Sequence, residues 1–178
     1  KDTVNFCLTG SNLKSIFRIS ENLKTVEIDA GQISQVLNNI IINAKQAMPK
    51  GGSIQVFADN VFIENNIHYK PGQYVKIIIK DHGTGISREN LSKIFDPFFT
   101  TKSNGSGLGL ATSYSIIKKH DGYIEVESTE GAGASFVIYI PASDEQPALS
   151  DSKPKFAQTG HGKILLMDTP SVVWLEKC

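Results

Sequence analysis

The 178 residues are 40% hydrophobic and 20% charged, enough apolar content for one sizeable core, so a single globular domain with some tail is expected. Eighteen basic residues balance eighteen acidic ones, which excludes charge-driven attachment to nucleic acid or a membrane surface; an anionic ligand has to be held by local groups. No apolar run approaches the roughly 18 residues of a spanning helix, no signal-peptide pattern opens the chain, and Cys7 and Cys178 lack metal-ligand spacing, so reduced thiols and a cytoplasmic setting are expected. In that setting the sequon Asn104-Gly105-Ser106 carries no glycan. Opening at Lys1, the chain is expected to be a piece of something longer.

In chain order, "SIFRIS" and "KTVEID" alternate polar and apolar residues as half-buried strands do, with a polar turn between them. From Asp29 the pattern is helical. Ile33, Val36, Leu37, Ile40, Ile41, Ala44 and Met48 form one stripe, stopped by Pro49 and the Gly51-Gly52 pair. "SIQVFADNVFI" and "QYVKIIIKD" predict an antiparallel hairpin across a connection containing Lys70-Pro71-Gly72. Val75, Ile77 and Ile79 share one face of the second strand and Lys76 and Lys80 the other, a pattern suited to a sheet covered on one side. The stretch from His82 to Leu108, with one short helical piece around "SRENLSKIF", is too long for an ordinary connection and reads as a functional loop. Leu110, Tyr114, Ile116 and Ile117 mark a second helix, for which Gly122 offers a C-terminal stop. "YIEVES" and "SFVIYI" predict a closing hairpin across "TEGAGA". After Pro141 the polar, proline-containing composition reads as a linker; then "KILLMD" is strand-like and "SVVWLEKC" is expected to begin a helix.

Three constellations carry chemistry. Asn39 and Asn43 are four apart and lie on nearly one helix edge. Three asparagines in the six positions 38–43 are poor helix formers, so they are either an amide-rich polar side or include a neutral oxygen, on Asn43, that helps hold Mg²⁺ on a phosphate chain. Asp81 ends a buried strand ahead of Gly83 and Gly85. It is either a strand cap or a carboxylate that accepts from an exocyclic amine while the glycines let a base lie against the backbone. Gly105, Gly107 and Gly109 precede a helix whose free N–H groups favour anions, and Lys102 upstream is either a solvated lysine or a positive charge for a terminal phosphate. The strand that a dinucleotide fingerprint needs before its glycines is missing, and no P-loop pattern occurs.

Together and in this order these segments resemble the ATP-binding catalytic domain of two-component sensor histidine kinases, within the wider ATPase group that includes gyrase, heat-shock protein 90 and mismatch-repair ATPases. "QVLNNIIINAKQAM" resembles the family's N box, "DHGTGI" its G1 box, "FDPFFTTK" its F box and "GSGLGLA" its G2 box. "NAKQAMPKGG" and "FDPFFTTK" are most similar to the nitrogen-regulator type, often found in hybrid chains. The resemblance implies a two-layer α/β sandwich, a mixed sheet with helices on one face, with ATP between the N-box helix and a lid running from the G1 to the G2 box. It makes Asn43 the Mg²⁺ ligand, places Asn39 near the phosphates, has Asp81 read the adenine amino group, and sets Gly83, Gly85 and Ile86 around the base. Thr101, Lys102 and the loop Gly105, Ser106, Gly107, Leu108, Gly109 and Leu110 would hold phosphates, with Lys102 positioning rather than reacting. Phe95, Phe98 and Phe99 would anchor the lid and engage a partner helix.

The family's function implies transfer of the γ-phosphoryl of Mg-ATP to a histidine on an adjacent helical dimerisation domain; a nucleotide-binding or partner-docking module without kinase activity is the alternative. None of His68, His82, His120 or His161 has the acidic neighbour and the following Asn or Thr before Pro of the family's substrate histidine, so this chain is expected to bind ATP without accepting its phosphate. Gln46 stands where many relatives have Lys, Arg or His, and Ala134 where threonine is usual, which removes a water-mediated adenine contact. The expected organisation is a catalytic domain over 1–141, a linker over 142–161, and over 162–178 a truncated remnant similar to the first strand of a response-regulator receiver, with Asp168 followed by Thr169 and Pro170. Without dimerising helices the isolated domain is expected to be a monomer.

Overall fold

The computed structural model describes residues 1–64, 67–103 and 105–143, together with the backbone of two later strands. In chain order these are α1 (Asp2–Leu8), β1 (Leu13–Ile19), β2 (Thr25–Val26), α2 (Ala30–Ala47), β3 (Gly52–Ile63), β4 (Gly72–Lys80), α3 (Arg88–Leu91), α4 (Gly109–Lys119), β5 (Tyr123–Thr129), β6 (Gly133–Ser143), β7 (Leu165–Asp168) and β8 (Ser171–Trp174). The chain divides into two compact units, 1–146 and 147–178. The second contributes the antiparallel pair β7 and β8, so "SVVW" is a strand and not the start of a helix. Two β-branched valines and a tryptophan favour an extended backbone over a helical one. The expected linker lies outside the described residues from position 144 onward, as do His161 and Cys178.

In the first unit the sheet order is β1-β3-β4-β6, with β6 flanked on its outer side by β5 and, at Ala142 and Ser143, by the short β2. The β1–β3 pair is parallel and the others antiparallel, giving the mixed sheet that was expected. Register places Val56, Ile79, Phe136 and Val126 side by side across four strands, and Ala58, Ile77, Ile138 and Ile124 in the next row. A period of two sends these residues to one face. There, apart from Ala58, they share one core with Val36, Ile40, Ile41 and Ala44 of α2, Ile116 and Ile117 of α4, and Val4 and Leu8 of α1. Ile41 lies at the centre of that layer with 0% of its surface exposed. Ile41→Ala is expected to lower unfolding free energy by about 2–5 kcal/mol with an unchanged urea slope, since it removes methyl groups that the neighbours cannot replace.

The opposite face is aromatic rather than bare. Tyr69 stacks edge-on against Tyr123 at 4.5 Å and lies 5.3 Å from Tyr139, over which Lys76 places its ammonium at 5.5 Å. The Lys70-Pro71-Gly72 segment is fixed there, its Lys70 N–H donating to the Tyr123 hydroxyl and its Lys70 carbonyl accepting from Tyr74. Two local expectations change. "KTVEID" pairs over only two residues, because β6 has β5 along most of its outer edge. At the end of α4 the left-handed residue is Asp121, φ 53°, and not Gly122. Gly122 is the next residue of the same C-cap, donating to the Ile117 carbonyl at 2.9 Å while Asp121 donates to Lys118 at 3.0 Å. Glycine is needed there because a Cβ would come within 2.6 Å of the Tyr139 carbonyl.

Candidate functional site

Asp29 caps α2, accepting the Gln32 N–H at 3.0 Å, and that bond is the main reason its carboxyl titrates below the ordinary value. With the apolar stripe turned to the sheet, the helix presents Asn39, Asn43 and Gln46 along its other edge. The Asn39 amide nitrogen donates to the Gly109 carbonyl at 2.9 Å and to the buried Ser113 hydroxyl at 3.2 Å, fixing the start of α4 against α2. Asn43 turns its Oδ1 to the Lys102 ammonium at 2.8 Å, and Gln46 Oε1 accepts from the same ammonium.

Asp81 follows β4 and continues the sheet by one bond, its N–H donating to the Ala134 carbonyl at 2.9 Å. Only 4% of it is exposed. Burial pushes its carboxyl above the ordinary 3.8, while the N–H groups of Gly83 at 2.8 Å and Ala134 at 3.3 Å, both donating to Oδ1, pull the other way. Oδ2 is left as an acceptor with no protein donor among the described residues, on a side chain that lines the cavity. The turn after it is stitched on two sides. Thr84 donates to the last carbonyl of α2, on Ala47, and accepts from Gly131 at 2.7 Å, while Ile86 donates to the Ser128 hydroxyl at 2.9 Å. Gly85, φ 69°, lies so close to the β5–β6 turn that a Cβ would sit 2.2 Å from the Thr129 carbonyl oxygen. The Ala134 methyl cannot replace a threonine hydroxyl, but its backbone N–H holds the carboxylate in place.

Beyond α3, which is a single turn, Ile94 is buried and Phe95 and Phe99 pack against the core, Phe95 lying 5.6 Å from the Tyr114 ring. Phe98 differs from the expected anchor. Its ring is 74% exposed, and it ties the loop through its backbone, at φ 65°, by donating to the Gly107 carbonyl at 3.0 Å. Gly107, φ 68°, has the Phe98 carbonyl carbon where a Cβ would be, 2.3 Å away. The loop returns to Gly109 at the start of α4, whose first turn has no side-chain cap, so its N–H groups remain available to an anion.

These elements enclose a cleft of about 750 Å³. Asn39, Asn43, Asp81, Gly85 and Ile86 line it from the helix and the sheet, and Thr101, Lys102, Gly105, Ser106, Gly107, Gly109 and Leu110 from the loop. Gly83 and Leu108 do not. Gly83 packs against Ala47, which a Cβ would meet at 2.6 Å, and Leu108 is exposed at the N-cap of α4. Lys102 supplies the sole basic side chain among the described lining residues, and loss of hydration lowers its pKa. Sequence reasoning missed Ser113 and Ser128, whose partners lie 74 and 42 residues away, and Glu130, brought to the cleft by the β5–β6 turn. The one signal for Ser113 was a hydroxyl on the apolar stripe of α4.

A cleft with the unshared Asp81 Oδ2 on its sheet side, and a long loop, a single cation and a free helix start on the other, suits a ligand with a flat polar base at one end and anionic groups at the other. Comparison with known proteins agrees. The family described as "Histidine kinase-, DNA gyrase B-, and HSP90-like ATPase" matches residues 28–144. Sensor kinase CckA of Brucella abortus is 38% identical over 93% of this chain, which spans 19% of that relative's length. Among solved structures, the catalytic domain of histidine kinase ThkA aligns at 30% identity with a TM-score of 0.62, covering 79% of this chain and 91% of ThkA. Full-length ShkA, crystallised in complex with AMPPNP, aligns at 25% identity and a TM-score of 0.60 over 82% of this chain and 28% of ShkA. Among the described residues no helix is long and apolar enough to cross a membrane. The chain belongs to the histidine kinase-, DNA gyrase B- and HSP90-like ATPase family, as the ATP-binding catalytic domain of a sensor histidine kinase.

Proposed function

We propose that the cleft binds Mg-ATP and, within a longer parent chain, presents its γ-phosphoryl group to a histidine on a helical dimerisation domain. The observation that carries this reading is the pairing of unlike ends in one cleft: the unshared Oδ2 of Asp81 on the sheet side, and Lys102 with the uncapped start of α4 on the loop side. Asp81 accepts the adenine amino group, with Gly85 and Ile86 against the base and Gly83 holding the carboxylate from behind. Lys102, Thr101 and the backbone from Gly105 to Leu110 hold the phosphates, with Leu108 contributing main chain only.

Asn43 fits a hard cation, since its Oδ1 already holds an ammonium. Among the described residues no cluster of three or more His, Cys, Asp or Glu could hold a metal, so Mg²⁺ would arrive with the nucleotide and take most of its oxygens from phosphate and water. When bound, Mg²⁺ neutralises charge on the phosphate chain. The protein's share is positioning, the main protein contribution to phosphoryl transfer. The exposed Phe98 and Leu108 rim offers the helical domain an apolar contact beside the phosphates. For the parent we propose the organisation read from the sequence: catalytic domain 1–141, linker 142–161, receiver-like segment 162–178, a response-regulator receiver downstream, and a monomeric isolated domain.

Titration with a fluorescent ATP analogue tests the assignment. Asn43→Ala is expected to weaken binding about tenfold in Mg²⁺ and little in chelator, because only the metal-bound form uses Oδ1. Equal affinities for wild type and variant in Mg²⁺ would refute the metal assignment.

A further inference from the structure

The Lys102 ammonium is held by two neutral amide oxygens, Asn43 Oδ1 at 2.8 Å and Gln46 Oε1, three residues apart on one face of α2. This contact closes a loop that is otherwise pinned at its base, where Phe98 donates to Gly107, and shaped at its tip by local bonds alone: the Lys102 N–H to Thr100 Oγ1 at 3.1 Å and the Gly105 N–H to the Lys102 carbonyl at 3.2 Å. Among the described hydrogen bonds, only the Lys102 side chain joins that tip to α2.

Neutral acceptors hold an ammonium without cancelling its charge, so the latched loop still presents a cation to an incoming anion. A phosphate oxygen, being ionised, makes a stronger bond to the same ammonium than either amide. A carboxylate at position 46 would hold the lysine against that competition, and a basic residue would repel it. Glutamine does neither.

We propose that Gln46 is a positioning residue that, with Asn43, parks Lys102 on the rim of α2 and latches the phosphate loop shut before nucleotide arrives, then yields the lysine to the phosphates. The departure of Lys102 also frees Asn43 Oδ1, so the same exchange that grips the phosphates opens the oxygen that a divalent cation would use. The latch is a property of the empty domain, and only the exchange rests on the functional reading given above.

Amide hydrogen exchange by NMR separates the two. Without nucleotide, Gln46→Met and Gln46→Lys are each expected to speed exchange at Lys102 and Gly105 about tenfold, while Ile78 in β4, the folding reference, is unchanged. At saturating Mg-ATP both variants should return to the wild-type rates, because phosphate then holds the lysine. Unchanged exchange in both empty variants would overturn the latch. Fast exchange that persists in the nucleotide-saturated variants would overturn the handover. Failure of the wild type to bind Mg-ATP would count against the proposed function and leave the latch standing on its nucleotide-free result.

Discussion

Asp81→Asn is expected to weaken ATP binding about a hundredfold, about 2.7 kcal/mol, while leaving the empty domain at least as stable as the wild type. The two effects have opposite signs because they act on different oxygens. Oδ1 accepts from Gly83 and Ala134, and an asparagine oxygen can accept the same pair. Oδ2 becomes an NH₂ group, which points a donor at the adenine amine where an acceptor is required. The ionised carboxylate is also a cost to the empty fold. Burial raises its folded pKa above the ordinary 3.8, so below that value the protonated group carries no penalty. Stability then falls as pH rises through the raised folded value, and the loss is complete above it. Asparagine removes that loss, so the melting temperature of Asp81→Asn at neutral pH should equal or exceed that of the wild type. For the wild type the same direction makes ATP affinity fail on acidification at a higher pH than an unshifted aspartate would give. A variant that lost stability and kept ATP would reverse the assignment of the two oxygens.

Gly85→Ala is expected to abolish measurable ATP binding in the micromolar range and to cost about 1–3 kcal/mol of stability by chemical denaturation. Two penalties coincide at this position. The backbone is left-handed, φ 69°, and the added carbon would sit 2.2 Å from the Thr129 carbonyl oxygen, a backbone atom that cannot rotate away. Relief requires the β5–β6 turn to separate from the loop after β4, breaking the Gly131-to-Thr84 and Ile86-to-Ser128 bonds that shape the base end of the cleft. Gly131→Ala is the control. It carries comparable strain, φ 79°, with no heavy atom within 4 Å of the added carbon, so it should cost about 1 kcal/mol and keep ATP binding. Equal losses in the two variants would show that dihedral strain, and not the collision, governs the site.

The layout of the fold was legible where periodicity is dense. The 3.6-residue stripe from Ile33 to Ala44 and the two-residue alternation of β4 are local signals, and both elements appear as expected. What local pattern could not show is what depends on distant partners. Helix α1 has seven residues, no side-chain cap and two buried positions, Val4 and Leu8, too little periodicity to read. The shortness of β2 follows from competition for one edge of β6, which only the assembled sheet decides.

The site divides in the same way. Asn43, Asp81 and the loop glycines stood out because their residue types are unusual in a helix, at a strand end and before a helix. All of Gly83, Gly85 and Gly107 avoid collisions with backbone, but Gly85 and Gly107 do so at left-handed turns lining the cleft, whereas Gly83 makes room for the Ala47 methyl and carbonyl behind it. Phe98 shows the limit of reading composition, since three phenylalanines in one segment suggest one clasp, yet Phe95 and Phe99 pack inward while Phe98 acts through its main chain. The pairing of Lys102 with Gln46, 56 residues away, has no local signature.

The most direct test of the proposed activity is to mix this domain with the separately expressed helical domain of its parent and γ-labelled Mg-ATP, and to follow acid-labile, base-stable phosphate. The account predicts label on a histidine of the helical domain, none on this chain, and loss of the signal in Asn43→Ala and Asp81→Asn. Absence of histidine phosphate while ATP is demonstrably bound, or label on a histidine of this chain, would contradict it.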